Sequence, residues 1–216
     1  IFLFVVFGSM MGLLRINDFL YELGKLVGRR IAGGPGQTAV VSSSLIGMVS
    51  GAAVANVAIT GAFTIPYMKR AGYSAPLAGA IEATASTGGQ LMPPVMGAAA
   101  FLMAFFVGVP YTDIMIAGLI PAILFYVGVM LSVQFASTAA GIKAPREMPN
   151  WSVIARGIPM FVIPVGVLTG LLLFRFSPSY AAFWAICTVI VLSFFRSGGR
   201  PKAAEYLEFL TEGAVV

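Results

Sequence analysis

The stretch Ser86-Thr87-Gly88-Gly89-Gln90-Leu91-Met92-Pro93-Pro94, STGGQLMPP, sits in the middle of an apolar run and decides how the chain folds. That run extends from Ser74 to Val109, far beyond the roughly 20 residues a straight membrane-crossing helix needs. Pro93 and Pro94 lack a backbone donor and disturb the preceding turn, whereas Gly88 and Gly89 permit non-helical dihedrals. Two half-helices meeting at an unwound loop satisfy both the length and the residue types.

The surroundings of this run are those of a membrane. The chain is 59% hydrophobic and 10% charged, with a mean hydropathy of +0.95, so its apolar surface exceeds what a water-soluble core of 216 residues hides. Apolar runs of spanning length recur from end to end. They are continuous and rich in Leu, Ala, Gly and Met, which argues for helices and against the short alternating segments of a β-barrel. The net charge of +5 comes from basic residues scattered at the ends of these runs. They read as topology signals and not as a nucleic-acid patch. Cys187 is the one cysteine and lies in an apolar segment, which excludes a disulfide framework and a thiolate metal site. The chain opens at Ile1 in mid-run without a charged leader region, and the expectation is a fragment of a longer protein, not a signal peptide.

Working outward, residues 1–32 read as the end of a scaffold helix closed by Arg15, followed by an amphipathic arm from Asn17 to Ile31 with Asn17 or Asp18 as its cap. Residues 33–72 hold many small and hydroxylated residues between basic flanks, Lys25, Arg29 and Arg30 on one side and Lys69 and Arg70 on the other. Both flanks lie in the cytoplasm if basic residues mark the inner face. The segment then goes in and returns, with arms of about 15 residues or roughly 22 Å. It is expected to be a re-entrant hairpin with its tip near Ser50 to Asn56, the competing reading being one plain span. Residues 73–110 are the broken helix. Residues 111–150 carry a span from Ile114 to about Ala136, capped by Thr112 and Asp113, and a cytoplasmic loop with Lys143 and Arg146. Residues 151–216 start with two spans, Trp151 to Phe174 and Ser179 to Phe195. Arg156, Arg196, Arg200 and Lys202 lie inside and Arg175 outside. A second amphipathic arm around Glu205-Tyr206-Leu207 echoes Asp18-Phe19-Leu20, so this block reads as a truncated second, inverted repeat.

Unwound backbone survives in hydrocarbon only where protein buries it or a polar cavity adjoins it. Released carbonyls, with Ser, Thr and Asn side chains, are hard ligands suited to Na⁺. If the hairpin tip meets the Thr87 to Pro94 loop, then Ser50, Gly51, Ala53 and Asn56 face Thr87, Gly89, Met92 and Pro94 around one cation. The alternative is that these small residues only let helices approach closely. Glu82 is the one acid well inside a span, read as a hydrogen-bonded or paired structural acid, with an ion or proton site as the alternative. Asn56 and Gln90 are substrate-facing by position alone. No histidine is present, so a Ser-His mechanism has no base within this sequence. No transition-metal set exists either, and GGPGQTA lacks the Lys and the spacing of a phosphate loop. These residues encode no enzyme.

The segment SSLIGMVSGAAVANVAITGAFTIPYMKRAGYSAPLAGAIEATASTGGQLMPPVMGAAAF resembles the large membrane subunit of tripartite ATP-independent periplasmic (TRAP) transporters, most closely the fused-permease branch working with TAXI-type binding proteins. The likeness is dense from about Gly33 to Tyr126 and is carried by SG-x-x-VAN, TIP-x-MK(R)-x-GY and G-x-L-x-PP in this order. It implies an elevator-type secondary transporter in the bacterial inner membrane. Sodium would be coupled there to uptake of an organic anion, a carboxylate, delivered by a soluble periplasmic solute-binding protein. It places the first sodium site at Ser50, Ala53, Gly89, Met92 and Pro94. Where members often carry a second hydroxyl in the tip, this chain has Ala52 and Ala53, so backbone carbonyls would supply those ligands. No other cofactor is implied. The rival readings are a proton-coupled transporter using Glu82, a channel or passive pore, and a non-transporting assembly subunit.

Overall fold

In the computed structural model, which describes residues 2–14, 16–29, 31, 33–142 and 148–195, every regular element is helical. The chain is an all-α polytopic membrane protein. Helix α1 (Phe2–Met10) tightens into a 3-10 turn at Met11–Leu14, and α2 (Ile16–Gly28) is the amphipathic arm. Next come α3 (Gly34–Ser50) and α4 (Ala53–Arg70), then α5 (Ala75–Gly88), a 3-10 turn at Gly89–Leu91, and α6 (Ala98–Val107). Three longer apolar helices close the described chain: α7 (Tyr111–Ala139), α8 (Trp151–Leu173) and α9 (Pro178–Ser193). Only α7, with 29 residues, and α8, with 23, are each long and apolar enough to cross a bilayer unaided among the described residues. At 16 residues α9 is shorter, about 24 Å at the helical rise.

Several boundaries differ from the sequence expectation for local reasons. Ile16 already belongs to α2, so Asn17 and Asp18 sit in the first turn instead of capping it. The arm also stops at Gly28, three positions before Ile31. Helix α7 begins at Tyr111 behind Pro110, whose fixed φ starts the helix with no side-chain cap. Thr112 and Asp113 therefore serve tertiary contacts: the Thr112 hydroxyl donates to the Leu172 carbonyl at 3.0 Å, and Asp113 faces Arg175. The hairpin arms run to 17 and 18 residues, slightly longer than expected. Arg15, Lys143, Arg146, Arg196, Arg200, Lys202 and the second arm around Glu205 lie outside the described residues.

Two buried clusters organise the packing. One joins α1, the start of α2, α6, the start of α7, α8 and α9 through residues such as Phe7, Leu20, Leu168 and Ala185. Aromatic contacts run through it, with Phe4 edge-on to Phe101 at 4.9 Å and Phe19 against Phe161 at 5.9 Å. The other gathers Val40 of α3, Met68 of α4, Ala78 and Ala85 of α5, and Tyr126 and Val133 of α7. Its edge is latched at the start of α3. The Tyr73 hydroxyl, in the α4–α5 loop, donates to the Gly33 carbonyl at 2.8 Å and lies 2.6 Å from the Ser137 hydroxyl. Burial raises the Tyr73 pKa above its usual value, outweighing the lowering effect of Ser137 and the Gly36 backbone, so the phenol keeps its proton and remains a donor. Outward faces of α7 carry Ile120, Leu124 and Phe135, as a lipid-facing helix requires.

Candidate functional site

The turn between α3 and α4 takes only two residues. Gly51, at φ +63°, donates its N–H to the Gly47 carbonyl at 2.9 Å, a left-handed cap that an L side chain rarely adopts. Ala52 is extended, and α4 starts at Ala53. The break after α5 is longer. Met92 is extended, the Pro93–Pro94 peptide bond is cis, Met96 has φ +57°, and the Gly97 N–H returns to the Gln90 carbonyl at 2.8 Å.

These two irregular segments are in contact, backbone against backbone. A Cβ placed on Gly47 would lie 2.6 Å from Gly89 Cα and 2.8 Å from Asn56 Nδ2. One placed on Gly51 would collide with the Met96 carbonyl, and one on Gly89 would lie 2.5 Å from Gly47 Cα. Glycine is therefore required on both sides of the seam. Asn56, fully buried on the first turn of α4, donates from Nδ2 to the Ser43 carbonyl at 2.8 Å. Its Oδ1 is buried with no hydrogen-bond partner, and so is the Ser50 hydroxyl oxygen. An unsatisfied buried acceptor costs about 1–3 kcal/mol, which a hard cation or a donor would relieve. Oxygen atoms alone form this donor set, which fits Na⁺ and not a thiophilic or imidazole-seeking metal.

Of the residues expected around a cation, Ser50, Gly51, Asn56 and Gly89 are brought together at the seam, with Ala53 half-buried at the start of α4. Thr87 is not among them. Its hydroxyl donates to the Ala83 carbonyl at 2.7 Å on the exposed face of α5. Met92 is half-buried and packs toward the cluster of α5 and α7. Pro94 contributes a carbonyl that already accepts from Tyr111. Of the two substrate-facing positions, Gln90 is exposed at the edge of the break, but the Asn56 side chain is enclosed. Glu82 lies one turn before Ser86 and is completely buried. Four hydroxyls converge on its carboxyl: Ser43 at 2.8 Å, Ser86 at 3.0 Å, Thr60 and Thr64. It forms no ion pair among the described residues.

One residue of the site is not visible to spacing arguments. The Tyr111 hydroxyl reaches the carbonyls of Pro94 at 2.8 Å and Val95 at 2.6 Å, and its ring stacks on Phe101 at 4.2 Å. It satisfies two carbonyls of the unwound loop from the first residue of α7. A tyrosine immediately after Pro110 was the available signal.

A helical hairpin whose tip abuts an interrupted helix, set among apolar spans, defines a membrane protein of the secondary-transporter kind. The family model for the tripartite ATP-independent periplasmic transporter, DctM component, matches residues 1–216, and the chain belongs to that family. That family is one of transporter permeases and not of enzymes. Its relatives include the 2,3-diketo-L-gulonate TRAP transporter large permease protein of Escherichia coli, 26% identical over 88% of this chain and 46% of that protein. The sialic acid TRAP transporter permease protein of Haemophilus influenzae is 26% identical over 89% of this chain and 31% of that protein. An uncharacterized protein of Sinorhizobium fredii is 28% identical over 88% and 46%. The chain thus spans less than half the length of these curated relatives.

Proposed function

We propose that this chain is the first-repeat half of the translocating subunit of a sodium-coupled TRAP transporter in the bacterial inner membrane. A periplasmic solute-binding protein delivers an organic anion to it, and a small permease subunit completes the complex. The observation that carries the reading is that the hairpin tip holds two buried oxygens with no protein partner, Asn56 Oδ1 and Ser50 Oγ, on residues flanking the turn, with the Asn56 amide lying at the Gly47–Gly89 approach. Two relatives are named for 2,3-diketo-L-gulonate and for sialic acid, both organic acids, which supports a carboxylate substrate.

Sodium bound there supplies a positive charge that neutralises converging oxygen dipoles and prepares the region for an anion. Asn56, held by its bond to Ser43, keeps a free buried oxygen in the side-chain amide that lies at the seam. Gly47, Gly51 and Gly89 let the two backbones close on each other, and Tyr111 holds two carbonyls of the loop. With the tip and the break joined, α3, α4 and α5 act as one body, which is what an elevator motion against the α8 and α9 scaffold needs. Coupling arises because only the closed seam binds substrate well, a difference in affinity between two states.

The test is uptake of radiolabelled sialic acid and a panel of small carboxylates into proteoliposomes holding the full transporter and its binding protein. Uptake is expected with an inward sodium gradient and lost with potassium, and Asn56→Ala raises the sodium requirement. Uptake driven equally well by a pH gradient in sodium-free buffer would overturn the reading in favour of proton coupling.

A further inference from the structure

The hydroxyl knot on Glu82 is larger than helix packing requires. Ser43 stands on α3, Thr60 and Thr64 on α4, and Ser86 and Glu82 on α5, so a single carboxyl ties three helices. Asn56, Thr60 and Thr64 recur every fourth residue and so share one face of α4. Gly61, whose Cβ would lie 3.4 Å from Glu82 Cγ, leaves room for the acid beside them.

The knot is linked to the seam through short covalent and hydrogen-bonded paths. The Thr60 hydroxyl contacts both the Glu82 carboxyl and the Asn56 backbone carbonyl, the latter at 2.7 Å. Ser43 holds Asn56 by its own carbonyl, which accepts from Asn56 Nδ2 at 2.8 Å, while its hydroxyl donates to Glu82. Thr60 and Thr64 can fall back on helix carbonyls one turn earlier. Ser43 has no such helix carbonyl among its hydrogen bonds, its hydroxyl meeting only Glu82 and, at 3.2 Å, Thr60. Loss of the acid therefore loosens α3 against α4 at Ser43, where the Ser43 backbone carbonyl meets the Asn56 amide.

We infer that Glu82 is a positioning residue: through the hydroxyls of Ser43 and Thr60 it ties α3 to α4 and so holds the Asn56 amide beside the seam, with Nδ2 on the Ser43 carbonyl and Oδ1 left without a protein partner. This rests on the sodium reading above and assigns Glu82 the orientation of that site, with no direct contact to the ion. Groups that orient a ligand from behind typically change metal affinity by about 10- to 100-fold when removed.

The test is a sodium titration of the melting temperature of the purified full transporter, with potassium as control, for the wild type, Glu82→Gln, Asn56→Ala and the double variant. Binding to the folded state alone raises the melting temperature with concentration, so half-saturation is read without knowing the substrate. Glu82→Gln is expected to raise the half-saturating sodium concentration about 10-fold or more. The double variant should match Asn56→Ala alone, because Glu82 acts through Asn56. A purely packing role would lower the melting temperature in potassium yet leave half-saturation alone, and its effect would add to that of Asn56→Ala; either result overturns the inference. Should Glu82→Gln not fold, Ser43→Ala removes the same link with less disturbance, and wild-type sodium affinity in that variant overturns it equally. If the wild type itself ignores sodium, the sodium reading fails and this inference with it. If wild type and Asn56→Ala behave as expected and Glu82→Gln resembles the wild type, only the inference fails.

Discussion

Replacing Gly89 by alanine tests the contact between hairpin tip and broken helix with a single carbon. Gly89 has ordinary right-handed helical dihedrals, φ −56° and ψ −31°, so the backbone tolerates alanine and only packing changes. The new Cβ would sit 2.5 Å from Gly47 Cα and 3.0 Å from Gly47 C. Carbon atoms rest at about 3.5–4.0 Å, so α3 and the break must part by about 1 Å. Neither side can yield by rotating a side chain, since both partners are backbone. Overpacking of this kind costs about 1–3 kcal/mol, which falls on the closed seam and weakens sodium affinity by about 5- to 150-fold. Sodium-dependent melting of the full transporter measures it. Gly79→Ala is the control on α5, the helix that leads into Gly89: its Cβ meets nothing within 4 Å, and alanine there favours α5 by up to about 1 kcal/mol. A Gly89→Ala variant with wild-type half-saturation and melting temperature would refute the proposed closeness of the two segments.

Two further substitutions separate residues that hold the loop from residues that merely lie near it. Tyr111→Phe keeps the ring stacked on Phe101 but strips the donor from the Pro94 and Val95 carbonyls; it is expected to cost about 1–3 kcal/mol, read as a lower melting temperature, and an unchanged melt would show that those carbonyls find another partner. Asp113→Asn removes the 3.4 Å pair with Arg175, whose side chains are 67% and 43% exposed. Such exposed pairs contribute little, so melting should be indistinguishable from the wild type, and a clear loss would mean that the α7–α8 end is held electrostatically.

The break after α5 was legible because Gly and Pro act on their own backbone, wherever the rest of the chain lies. The tip was legible only as a window. Within Ser50 to Asn56 several small residues permit a reversal, and the structure places it at Gly51, where the left-handed cap forms. Side-chain partners were much less accessible to this reasoning. Tyr111 meets carbonyls sixteen and seventeen positions away, and no local rule selects that contact. The four hydroxyls around Glu82 left one trace in the sequence, the fourfold spacing of Asn56, Thr60 and Thr64, which identifies a polar face but not the acid that faces it. Helix starts failed for a simpler reason. Thr112 and Asp113 are good caps in general, but Pro110 had already set the helix three residues earlier, at Tyr111.

The arm is where close packing most changes the mechanical picture. An amphipathic helix on the membrane surface suggests a hinge that can swing freely between moving and static parts. Yet α2 presents Gly24 and Gly28, four residues apart, to the backbone of α3: a Cβ on Gly24 would lie 2.8 Å from the Thr38 carbonyl, and one on Gly28 would collide with the Gly34 carbonyl and the Thr38 hydroxyl. Small residues at this spacing bring two helices into backbone contact. On its other side the arm buries Phe19 against Phe161 and Gly157 of α8, and Glu22 accepts from the Asn150 N–H at 2.9 Å. The two contacts differ in kind. Interlocked backbones resist sliding, since every displacement meets a carbonyl, whereas the α8 contact is made by side chains, the Phe19 and Phe161 rings among them, and a hydrogen bond, which rotamer changes can accommodate. Any movement of the hairpin relative to α8 therefore carries α2 with α3, and the give lies at the Phe19–Phe161 face.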